Sequence, residues 1–171
     1  MWLALAFFTA FVTSLQDVVA KTLSKRVSPY VTAWAWMFFS VPVFGLVLIG
    51  QKPVVVGPGF WPALVGTTVV LTLSSVLMFK AIGSADLSQS VPLLSLTPLF
   101  LLVTSPIIVG ERPHPTGILG VLLIVVGSYR LFLDPSRGGF WAPFRTLLRG
   151  RGSRYMLIVA FLASIGGNLD K

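Results

Sequence analysis

Six long apolar stretches alternate with short polar ones along the chain. They run at about Trp2–Ala20, Tyr30–Ile49, Phe60–Phe79, Leu87–Val109, Thr116–Leu133 and Tyr155–Leu169. A bilayer core of about 30 Å is crossed by roughly 20 helical residues, so each stretch is long enough, or nearly so, for one crossing. Lipid offers no partner for open backbone groups, which leaves helices or a closed barrel. A barrel needs strands of alternating polarity, about ten residues each. The apolar runs here are continuous, so the pattern predicts an all-α polytopic membrane protein. Most connections are short: QKPVVVGPG (Gln51–Gly59) is rich in Pro and Gly, while AIGSAD (Ala81–Asp86) and GERPHP (Gly110–Pro115) read as tight turns. Only the connection from Asp134 to Arg154 is long.

Composition agrees with this pattern. Of the 171 residues, 55% are hydrophobic and 11% charged, against about 25% charged in a soluble domain. The first span is not expected to be a secretory signal, because no basic region leads into it and Asp17 and Lys21 interrupt its end. The net charge of +8 does not point to nucleic acid, because the basic residues lie between apolar blocks rather than on one polar face. Lys21, Lys25, Arg26, Lys80, Arg130, Arg137, Arg145, Arg149, Arg151 and Arg154 follow the first, third and fifth spans, while Lys52 and Arg112 follow the second and fourth. That bias puts the odd-numbered connections, including the long one, in the cytoplasm. Within the long connection Phe140, Trp141, Phe144, Leu147 and Leu148 recur at helical spacing among arginines. This is either an amphipathic helix on an anionic leaflet or an ordinary basic linker.

The end of the first span returns at the end of the last. SLQDVVAK (Ser14–Lys21) lies over SIGGNLDK (Ser164–Lys171), matching Ser14 with Ser164 and Lys21 with Lys171; Ala10 and Phe11 match Ala160 and Phe161 just upstream. The last span is therefore expected to open a second copy of a five-helix unit. Five is odd, so that copy lies inverted in the membrane, as in many secondary transporters. The expected organisation is a five-helix repeat over 1–133, a basic interfacial linker over 134–154, and the first helix of an incomplete second repeat over 155–171. Such a chain is expected to be part of a longer protein, or to need a partner half.

KAIGSADLSQSVPLLSLTPLFLLVTSPIIVGERPHPTGILGVLLIVVGSYRLF (Lys80–Phe132) resembles the EamA repeat of the drug/metabolite transporter superfamily. The shared features are small residues leading into the fourth helix, Pro98 in its middle, the Gly-Glu-Arg-Pro turn, and a Gly-punctuated fifth helix. LQDVVAK (Leu15–Lys21) resembles the end of the family's first helix. The resemblance implies ten helices in two inverted halves. It also implies export or import of small metabolites across an inner membrane, and a cytoplasmic N-terminus, where the charge bias implies the opposite.

The candidate chemistry is sparse. Asp17 and Lys21 share a helix face and can pair, either as a helix-end anchor or as part of a substrate or proton pathway. Pro92, Pro98 and Pro106 free backbone carbonyls in the fourth span. With Ser88, Gln89, Ser90, Ser95 and Thr97 they can form a broken-helix binding site or a kinked packing helix whose freed groups Ser and Thr satisfy. Trp36 and Ser74 can line a pocket or face lipid. Asp17, Lys21, Trp36, Ser74, Ser90, Pro92 and Pro98 are thus the candidate substrate-pathway residues. Glu111 and Arg112 are expected to fix the turn between the fourth and fifth spans. Gly117, Gly120 and Gly127 share a face that allows close helix packing. His114 is the sole histidine and cysteine is absent, so no catalytic residues, metal site or cofactor are expected. No nucleotide loop is present. The expected partners are the lipid bilayer and a small-molecule substrate. The other class open to such a chain is a structural or assembly subunit of a membrane complex.

Overall fold

The computed structural model describes residues 2–49, 57–87, 91–111, 113–132 and 150–171. The expected linker helix around Phe140–Leu148 and the candidates Ser90 and Arg112 lie outside these residues. Six α-helices are described: α1 (Trp2–Leu23), α2 (Pro29–Ile49), α3 (Phe60–Ser84), α4 (Thr97–Ile108), α5 (Pro115–Phe132) and α6 (Arg151–Leu169). A 3₁₀ turn, Val91–Leu96, leads into α4.

Local sequence explains where these helices start and stop. Ser28 and Pro29 open α2: proline suits the first helical position, and the Ser28 hydroxyl accepts the Val31 N–H at 3.4 Å. The fourth apolar block divides at its prolines. Pro98 sits in the first turn of α4, where its missing N–H costs nothing. Ahead of it, the Ser95 hydroxyl donates to the Pro92 carbonyl at 2.6 Å and the Thr97 hydroxyl to the Leu94 carbonyl at 2.7 Å. Gly110 follows the end of α4 with φ of 75°, a left-handed turn that glycine makes without steric cost. That conformation explains the glycine of the Gly-Glu-Arg-Pro turn.

Helix directions follow from the contacts. Lys21 at the end of α1 reaches the end of α3, so these two C-terminal ends meet. Helix α6 starts at the end of α3, where Gly152 meets Ala81 and Ala85, and finishes near its beginning, where Leu169 meets Gly66. It is therefore antiparallel to α3. Phe100 of α4 packs edge-on against Phe161 of α6, with ring centroids 5.6 Å apart. The buried core gathers on the C-terminal half of α3: Phe79, Ala81 and Ile82 meet Ala20, Ala33, Leu93, Met156 and Val159. Three alanines sit among these larger side chains and let the helices approach closely, as helix association in lipid requires.

Four segments are long and apolar enough to cross a membrane: Trp2–Leu23, Pro29–Ile49, Phe60–Ser84 and Val91–Ile108. Pro115–Arg130 is a shorter apolar helix. Helix α6 has 19 residues, and its buried positions include Gly152, Ser153, Ser164 and Asn168, so it presents small and polar groups to protein. By contrast Phe7 is 76% exposed and Ile49 81%. Outward apolar faces of this extent suit lipid and not water.

Candidate functional site

The described polar groups inside the bundle concentrate on the faces of α6. Ser164 and Asn168 are one helical turn apart and therefore share a face. The Asn168 amide donates to the Ser164 carbonyl at 2.8 Å and to the Thr104 hydroxyl of α4 at 3.0 Å. Thr104 in turn donates to the Phe100 carbonyl at 3.1 Å, and Ser164 to the Phe161 carbonyl at 2.7 Å. The Ser164 carbonyl can only accept, which fixes the Asn168 amide with its nitrogen toward Thr104. Its Oδ1 is left buried and without a partner. Two other described groups share that condition: Oδ1 of Asp17 and the hydroxyl of Ser74. A buried acceptor without a donor is costly in a protein interior and costlier in hydrocarbon. Each of these three atoms can accept a hydrogen bond from a small molecule or water.

Asp17 and Lys21 share a helix face as expected, but they do not pair. The Lys21 ammonium donates to the carbonyls of Ile82 at 2.8 Å and Ala85 at 2.7 Å. It thereby meets the negative end of the α3 dipole, which outcompetes its neighbour one turn back. Lys21 also lines a depression of about 390 Å³ with Ser84, Asp86, Arg151 and Ser153. Pro92 lies within the 3₁₀ turn and Pro98 just after it; there the Ser95 and Ser128 hydroxyls lie 2.9 Å apart. Since Ser95 already donates to Pro92, Ser128 of α5 is the donor. Trp36 is half exposed on the outer face of α2.

Glu111 pairs with Lys171 at the end of α6, so the turn is tied to the last helix rather than only to its own hairpin. A Cβ placed at Gly117, Gly120 or Gly127 would meet nothing within 4 Å among the described residues. A close helix approach is made at Gly152, where a Cβ would lie 2.4 Å from the Ala85 Cβ and 3.0 Å from the Ala81 carbonyl. A glycine stripe on one helix shows that close approach is allowed, and the neighbour decides whether it occurs.

Sequence reading missed Thr104 and Asn168 as members of a cluster. The available signal was the one-turn spacing of Ser164 and Asn168 in an apolar helix; the partner on α4, 60 residues away, had none.

These features define an all-helical, multi-pass integral membrane protein. Residues 1–133 match the EamA-like transporter family, and the chain belongs to that family of transporters. No curated protein matches the chain, and no solved structure does.

Proposed function

We propose that the chain moves a small metabolite or drug-like molecule across a bacterial inner membrane by alternating access, driven by an ion gradient or by the substrate's own. The family supports transport in general. The observation that carries the finer reading is the placing of the similar endings of α1 and α6 at opposite ends of α3. These helices share the Ser14–Lys21 and Ser164–Lys171 ending; Lys21 lies at the end of α3 and Leu169 near its beginning. Opposed copies of one helix are what an inverted repeat produces. On this reading residues 1–133 form the first repeat, 134–154 a basic cytoplasmic linker and 155–171 the start of the second, to be completed by a second half or a partner half-transporter.

Substrate passes between α1, α3, α4 and α6, whose inward acceptors are Asp17, Ser74 and Asn168. Few charges line this route, which favours an apolar or amphipathic substrate over a strongly ionic one. Reconstitution of the chain together with its completing half into liposomes loaded with a panel of metabolites tests the proposal. Efflux of one chemical class above that from protein-free liposomes, abolished by Asp17→Asn, is the expected result. No efflux of any class, or efflux indifferent to Asp17→Asn, would overturn the assignment and favour an assembly subunit.

A further inference from the structure

The cations of the bundle differ in whether they are occupied. Lys21 is bound to α3 carbonyls. Lys80 donates to the Tyr30 hydroxyl at 2.7 Å and lies 4.6 Å from the centre of its ring. Lys171 is paired with Glu111. Arg151 and Arg154, at the start of α6, make no ion pair among the described residues. Both are exposed, and with Tyr155 and Ile158 they line a groove of about 280 Å³.

The order of these four residues is informative. Positions 151, 154, 155 and 158 fall on one face of a helix and span about 10 Å along its axis. Two guanidiniums come first, then an aromatic ring that carries a hydroxyl, then an aliphatic side chain. Arginine at the headgroup level, tyrosine at the interface and isoleucine deeper in hydrocarbon is the polarity profile of one bilayer leaflet. No carboxylate is among the residues lining the groove; Asp86 lines the adjoining depression that shares Arg151.

We propose that this groove holds one anionic phospholipid of the adjacent leaflet. Arg151 and Arg154 clasp its phosphate, Tyr155 sits at the glycerol level and Ile158 lies along the acyl chain. Guanidinium suits this task because its fork can donate two bonds to one phosphate. The groove is small beside a drug-sized pocket and open at its side, as a lipid with its tails in the bilayer requires. Such a lipid pins the start of α6 at the interface, against the end of α3. The proposal is independent of transport activity.

The test is native mass spectrometry of the intact chain released from mixed micelles holding equal amounts of phosphatidylglycerol and phosphatidylcholine. The wild type is expected to retain one phosphatidylglycerol in preference to phosphatidylcholine. Each arginine near an anionic phosphate contributes about fivefold, so the double variant R151Q/R154Q loses roughly 30-fold of that preference. A variant carrying lysine at both positions, R151K/R154K, keeps the charge and retains part of it. Helix content by circular dichroism separates loss of binding from loss of fold. Equal retention of the two lipids by the wild type overturns the proposal without reference to any variant. Displacement of the lipid by millimolar inorganic phosphate alone would overturn it in favour of a soluble-anion site.

Discussion

Helices α1 and α6 end in similar sequences and live in different surroundings. Helix α1 buries Asp17 and Ala20 and leaves most of its apolar side chains exposed. Helix α6 buries eight residues, with Met156, Ala160 and Ser164 fully enclosed. Their final lysines differ as well. Lys21 is partly buried and bound to two carbonyls of α3, whereas Lys171 is half exposed and bound to the Glu111 carboxylate. The same local pattern thus makes a lipid-facing wall in one place and a packed seam in the other. The number of neighbours sets the difference, since α6 lies between α3 and α4 while α1 touches the bundle along one edge near its end.

Substitutions can break or sharpen this contrast. The largest effect is expected at the seam. Gly152→Val forces side-chain atoms into Ala85 and the Ala81 carbonyl, costing about 3 kcal/mol as overpacking does. The readout is thermal unfolding in detergent. Gly120→Ala is the control; it meets open space and is expected to be neutral or slightly stabilising through helix propensity. The lysines come next. Lys21→Met removes two charge-assisted bonds and is expected to cost about 2 kcal/mol, while Lys171→Met, at an exposed pair, stays within about 1 kcal/mol. Equal losses in the two variants would erase the distinction between the helices. Asn168→Ala is also expected to cost little, about 1 kcal/mol, because interhelical hydrogen bonds in membranes are modest and the orphaned Oδ1 leaves with the side chain.

Part of this arrangement is legible in the chain itself. The turn glycine at Gly110 and the proline break before α4 are local events, set by φ preference and a missing N–H, and both fall where the residues say. The four helices of membrane-crossing length are equally visible, because length and apolarity act within one segment. The seam is different. Gly117, Gly120 and Gly127 carry the pattern of a packing face and meet nothing among the described residues, whereas Gly152, in a basic stretch, makes the closest approach. Asp17 and Lys21 have the spacing of an ion pair, yet the lysine goes to another helix.

What the sequence determined alone is the class of molecule: apolar runs too long and too numerous for a small water-exposed chain, basic residues gathered at alternate connections, and one helix ending used twice. What only the tertiary structure decided is which polar groups meet. Thr104 and Asn168 are joined across 64 residues of chain, and Lys21 reaches carbonyls more than 60 residues away. A residue's type and spacing state what bonds it can make. Which of them it makes depends on the neighbour that packing brings within 3 Å, and in lipid, with no water to accept the remainder, that neighbour settles the partner.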